Sequence, residues 1–106
     1  MQNMDNKLII MAQNDVLVEL AKLFNVSPAQ IIREGKDTRI CDIRHIYCKL
    51  RHEMHGVSFT EIANEIGRTH AGVSYAIARI NGLLGIDDIK ISNMWNSAKK
   101  INGAFI

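Results

Sequence analysis

Cys41, His45, Cys48 and His52 recur at i, i+4, i+7 and i+11, and His55 follows three residues later. Thiolate and imidazole are the ligands zinc prefers, and at about 100° per residue these side chains share one stripe of a helix. Along a straight helix, however, they span about 16 Å at 1.5 Å per residue, far more than one tetrahedral ion gathers. Two of them at i, i+4 can hold an ion only loosely or across a dimer contact. The expectation is therefore no metal site, with small cysteines filling space and histidines lying along an edge.

A second set of able side chains lies within Ser58-Phe-Thr-Glu-Ile-Ala-Asn-Glu-Ile-Gly-Arg-Thr-His-Ala-Gly-Val-Ser-Tyr-Ala-Ile-Ala-Arg-Ile80. His70, Ser74 and Thr69 can bond base edges or phosphates, and Arg79 can do either. Two short amphipathic helices must hold them. Phe59, Ile62, Ala63 and Ile66 make the inner face of the first; Val73, Ala76, Ile77 and Ile80 make that of the second. Gly67 stands where the chain turns sharply and positive φ costs least, and Thr69 can cap the second helix. Small Ala63 permits a close crossing. This is a helix-turn-helix pattern, whose second helix can enter the DNA major groove.

The flanking sequence reads as further helices. Asn14-Asp15 starts one through Phe24, and Ser27-Pro28 starts a short one that should end near Gly35. Asp42 is expected to cap a longer helix with Ile43, Ile46, Tyr47, Leu50 and Met54 on one face and Gly56 just past its end. Leu83-Leu84-Gly85 closes the second helix of the pair, and Asp87-Asp88 opens a last one through about Ile101, with Met94 and Trp95 as core anchors and Lys99-Lys100 solvated. The expected fold is all-α, a compact domain of five to six helices. An N-terminal arm covers residues 1–13 and the domain covers 14–106. Within the arm, Leu8–Met11 is apolar enough to cover the core or to mediate dimerisation.

Composition agrees. The 106 residues are 47% hydrophobic and 6% aromatic with one proline, a mixture that fits a single small helical domain. Net charge is +2, so nucleic-acid binding would depend on where the positive residues lie. Two cysteines are too few for a disulfide framework, and Leu8-Ile-Ile-Met-Ala12 is too short to cross a bilayer, which points to the cytoplasm and to no membrane partner. No Ser/His/Asp set, paired-carboxylate site, phosphate loop or cofactor fingerprint occurs, so neither an enzyme nor a small-molecule substrate or cofactor is expected. The opening Met1 fits a complete small protein and equally a fragment of a longer one.

From Val16 to Ile101 the chain resembles the C-terminal DNA-binding domain of the bacterial replication initiator DnaA. The match is carried by Leu20-Ala21, Phe24-Asn-Val-Ser-Pro-Ala-Gln-Ile-Ile32, Glu61-Ile62, Gly67-Arg68-Thr-His70 and Val73. The resemblance implies a Trp-repressor-like helix-turn-helix fold. It also implies sequence-preferring binding of double-stranded DNA, read in the major groove by the helix over 69–83, with a basic loop in the adjacent minor groove. Where the family's reading edge runs acidic, His, Thr, Thr, Val, this chain has Thr69, His70, Ala71, Gly72 and Val73. A carboxylate and two hydroxyls are gone, so an altered site preference is expected. The basic loop is thinned to Arg33-Glu-Gly-Lys-Asp-Thr-Arg39, with Thr38 at the position aligned to the minor-groove arginine. The resulting candidate DNA contacts are Lys36, Arg39, Arg44, His45 and Arg68 beside the recognition helix, and Thr69, His70, Gly72, Ser74 and Arg79 on it. The competing expectation is a protein-interaction module, or a homodimer, that kept the fold and lost the specific DNA site.

Overall fold

The computed structural model describes residues 14–33, 35 and 37–102. The predicted arm over 1–13, with its Leu8–Met11 stretch, lies outside them. Among the described residues the fold is all-α: α1 (Asp15–Phe24), α2 (Pro28–Ile32), α3 (Thr38–Lys49) continuing into a π-helical turn (Leu50–Met54), α4 (Phe59–Ile66), α5 (His70–Gly85) and α6 (Ile89–Ala98).

Local signals set most of the boundaries. The Asn14 side chain accepts from Leu17 N at 3.0 Å to start α1, and Asn25 ends it in the left-handed region at φ +59°. Ser27 and Gln30 form a reciprocal capping box at the start of α2, with Pro28 in the first turn. Asp88 caps α6 by accepting from Ile91 N at 2.9 Å. That last helix ends at Ala98, three residues short of the predicted Ile101.

Three further expectations are corrected. First, α2 ends at Ile32, not near Gly35, because Arg33 is already extended. Two guanidinium groups take up the carbonyls there. Arg44 donates from Nε to Ile31 O and from Nη2 to Arg33 O, each at 2.7 Å, and Arg68 Nη1 donates to Ile32 O at 2.9 Å. Cations suit the carbonyl-rich end of a helix, so this arginine pair replaces a glycine terminator. Second, Asp37 rather than Asp42 caps α3, accepting from Ile40 N at 3.0 Å. Asp42 lies a turn inside the helix and is buried. Third, the face predicted to run from Ile43 to Met54 stops at Leu50. The last turn widens to π geometry and leaves Met54 exposed, while Gly56 reverses the chain at φ +71°.

Helix α3 is the hub, packing against α1, α2, α5 and α6. The core is mostly aliphatic: Leu17, Leu20, Ile31, Ile43, Ile46 and Leu50 are fully buried together with Ile62, Ile66, Val73, Ile80 and Ile91. Full burial contributes about 1.5–3 kcal/mol for each such side chain. Met94 and Trp95 are partly buried against this core as expected. A polar strut joins the π-helical turn to α4. The Tyr47 hydroxyl donates to Glu65 Oε1 at 2.6 Å, and Arg51 reaches Glu65 through Nη2 at 2.7 Å and Nε at 3.1 Å. Burial and then the Glu65 charge push the Tyr47 hydroxyl well above the usual phenol range. It therefore stays a donor, which the carboxylate requires. The strut fixes α4 relative to α3, and α5 is then placed by its packing on both.

Candidate nucleic-acid interface

Helices α4 and α5 meet through the turn at Gly67, where φ is +66°. The Gly67 N–H closes α4 by donating to Ala63 O, and the extended Thr69 then caps α5 by accepting from Gly72 N at 3.0 Å. Inward go Val73, Ala76, Ile77 and Ile80, all buried as the spacing predicts. Outward go His70, Ala71, Gly72, Ser74, Tyr75 and Ala78, all exposed. No acidic residue occurs between His70 and Gly85. The exposed face of α5 therefore mixes small residues with His70, Ser74 and Tyr75 and is free of the like-charge repulsion that would oppose a phosphate backbone.

The expected contact residues divide into two groups. His70 and Ser74 stand on the exposed face, His70 edge-on to Phe59 with ring centroids 5.2 Å apart. Thr69 spends one hydroxyl lone pair on its capping bond yet remains exposed. Gly72 leaves the helix surface bare; a Cβ there would lie 3.2 Å from Thr69 Oγ1. Arg39 is exposed at the start of α3, where its guanidinium donates to the Phe24 carbonyl. Lys36 lies outside the described residues.

The second group is engaged inside the molecule. Arg44 is buried, and its donors go to the end of α2 and to Cys41 Sγ. Arg68 is half-buried and shares that task, with Nη2 donating to Arg33 O at 3.3 Å. Arg79 Nη2 lies 2.9 Å from Asp42 Oδ1, and Lys90 Nζ lies 2.8 Å from Oδ2 of the same carboxylate. Neither Asp42 oxygen makes an aligned hydrogen bond, so both contacts are ion pairs held by charge. The second Arg79 amine, Nη1, meets His45 Nδ1 at 3.1 Å. A guanidinium only donates, so Nδ1 must accept and the neutral imidazole carries its proton on Nε2. Burial first, then the charges of Arg79 and Arg44, bring the His45 pKa down to about 4, against an opposing pull from Asp42. His45 is thus neutral at ordinary pH. It lines an open concavity with Arg44, Arg68, Gly72 and Tyr75.

The cysteines and histidines of α3 and its extension disperse. Cys48 is buried, and that burial pushes its thiol up to about 12; Cys41 is half-buried. His52 contacts Val57 O at 2.9 Å, while His55 bridges Arg51 and Ile101 O. Among the described residues no group of three or more His, Cys, Asp or Glu side chains is arranged to hold a metal ion.

Sequence reasoning missed two features of this face. Lys90 escaped because it belongs to the next helix and reaches the site through Asp42. Tyr75 escaped because aromatic residues are usually counted into a core, although its outward position follows from the same spacing that turns Val73 and Ala76 inward.

The family described as bacterial dnaA protein helix-turn-helix matches residues 14–80, which contain α1 to α4 and most of α5. No curated protein and no solved structure matches the chain. Among the described residues no helix is long and apolar enough to cross a membrane.

Proposed function

The chain belongs to the bacterial DnaA helix-turn-helix family, a DNA-binding domain, and we propose that it prefers particular duplex sequences, read in the major groove by α5. One observation carries this reading: the exposed face of α5 holds His70, Ser74 and Tyr75 without a single acidic residue, directly after the Gly67 turn. The N-terminal part of a recognition helix is the part that reaches base edges, and all three residues lie within its first two turns. Arg39, Lys90 and part-exposed Arg79 supply positive charge for phosphates.

The preferred sequence differs from that of the family at large. Ala71 and Gly72 offer neither hydroxyl nor methyl reach equal to threonine, and Thr69, with one lone pair already on its cap, is a weaker and uncharged acceptor for a cytosine amine than a carboxylate. Selection of bound duplexes from a random pool by the full chain, followed by titration of a selected and a scrambled duplex at several salt concentrations, tests both points. A protein neutralising about two to four phosphates has a log–log salt slope of roughly −2 to −4. Absence of duplex binding at low salt, or binding indifferent to salt, refutes the proposal. A large preference for the family's own box over the newly selected sites refutes the altered specificity.

A protein-interaction role has one observation in its favour: Asp42 neutralises part of the charge of Arg79 and Lys90, and Arg44 is turned inward. In the same experiment that role gives no salt-dependent duplex binding.

A further inference from the structure

Tyr75 is 63% exposed, and among the described residues its ring contact is with His45 alone, edge-on at 6.0 Å between centroids. Aromatic side chains bury large areas when a fold can use them, so a tyrosine left out on a functional helix invites an explanation. Its surroundings make it stand higher still. One turn back lie Ala71 and Gly72, one turn on lies Ala78, and two turns on lies Gly82, all exposed. Apart from His70 at the helix start and part-exposed Arg79, the tyrosine is the large side chain on an otherwise shallow surface, so it lies where α5 would meet a partner.

The ring is also held from below. Asp42 fixes Arg79 at 2.9 Å, Arg79 donates to His45 Nδ1 at 3.1 Å, and the His45 ring supports the ring of Tyr75. Such a prop lowers the rotamer freedom the ring would lose on binding.

Given the major-groove role proposed for α5, the edge of an apolar ring finds one sequence-dependent apolar feature there, the C5 methyl of thymine. The Tyr75 hydroxyl is itself a phosphate donor, but Arg39, Lys90 and Arg79 carry the charge that phosphates favour, and Tyr75→Phe separates a hydroxyl contact from a ring contact. An apolar protein surface is the other partner an aromatic knob can take, but it would also have to desolvate the basic groups beside Tyr75. We propose that Tyr75 is a specificity-determining residue of the DNA-reading face, packing its ring against a thymine methyl. In this chain a packing contact at Tyr75 takes over part of the discrimination that Ala71 and Gly72 cannot provide.

This inference rests on the proposed DNA-reading function, and its test separates the two. The probe is the tightest duplex of about 20 base pairs selected by the full chain, synthesised with thymine and then with uracil at one thymine position at a time. Removing a buried methyl group should weaken binding about four-fold at one position or two adjacent ones. The Tyr75→Ala chain should bind the thymine duplex correspondingly more weakly and lose the response to uracil there, whereas Tyr75→Phe should keep it. Because Tyr75 is exposed, both variants should keep the helical circular dichroism of the parent. A uracil response of the same size in Tyr75→Ala overturns this inference while leaving DNA binding intact. The same holds if no thymine position responds in the parent chain. Failure of the parent to bind any duplex at low salt overturns the underlying function, and this inference with it.

Discussion

Replacing Arg44 by Met separates two roles that its sequence position leaves superimposed. Methionine keeps an unbranched apolar stem but removes every donor. In the structure, Nε and Nη2 each reach a carbonyl at 2.7 Å, on Ile31 and Arg33 respectively, and the side chain is buried. A hydrogen bond from a charged donor contributes about 1.5–3 kcal/mol net. Arg68 still covers Arg33 O, at 3.3 Å, so the second bond is only partly lost. The expected loss is therefore about 3 kcal/mol, close to one full bond and half of another. At about 4 °C per kcal/mol for a domain of this size, the thermal midpoint should fall by about 12 °C. Urea unfolding followed by circular dichroism measures the stability, and duplex titrations below the variant's unfolding range measure the salt slope. If Arg44 closes α2 and does not reach DNA, stability falls and the slope is unchanged. Stability preserved to within about 0.5 kcal/mol, together with a slope shallower by about 0.9, would show that Arg44 contacts a phosphate and that its internal bonds count for little.

Asp42→Asn should cost about 2 kcal/mol, below the 3–5 kcal/mol typical of breaking a buried pair because Lys90 and part of Arg79 can turn to water. It should also steepen the salt slope of duplex binding, since both cations lose their internal partner, and an unchanged slope would count against Arg79 and Lys90 as phosphate contacts. His45 produces a pH effect of definite sign. Its folded pKa of about 4 lies below the ordinary 6.5, so its contribution is complete above pH 6.5 and is lost as pH falls through 4. Discounted for half-exposure, it amounts to about 1–2 kcal/mol. The urea midpoint of His45→Gln should fall less steeply with acid across that window, and parallel curves would refute the assignment. Thr69→Ala should cost about 1 kcal/mol through the lost cap. Gly72→Ala gains helix propensity of about 1 kcal/mol but presses Thr69 Oγ1 at 3.2 Å, so it should stabilise more in the Thr69→Ala background than alone, and additive effects would contradict that contact.

The parts of this fold that the sequence made legible are those decided within four or five residues. Asn14, Ser27-Pro28, Gly67 and Thr69 each act on backbone groups close along the chain, so residue type alone announces the helix end. The apolar spacing of α5 likewise fixed which residues go inward. Charged residues do not carry their partners in their spacing. Asp42 has the form of a helix cap, yet its burial depends on Arg79 and Lys90, which α5 and α6 bring to it from far along the chain. Arg44 and Arg68 have the form of phosphate ligands, yet each meets the end of α2, which is too short to close itself and leaves carbonyls for them. The same long-range pairing bears on function. An arginine whose donors are already bonded to carbonyls must give up those bonds before it can reach DNA; Arg39 would release the Phe24 carbonyl alone and Lys90, 61% exposed, the Asp42 carboxylate alone, whereas buried Arg44 would give up several contacts at once. For this domain, then, the expected affinity follows from the few cations that stay at the surface, and the expected specificity follows from the few side chains that rise above α5. Both sets are smaller than the chain's count of basic residues suggests, because packing α2 and α6 against α3 draws several of those charges into the structure itself.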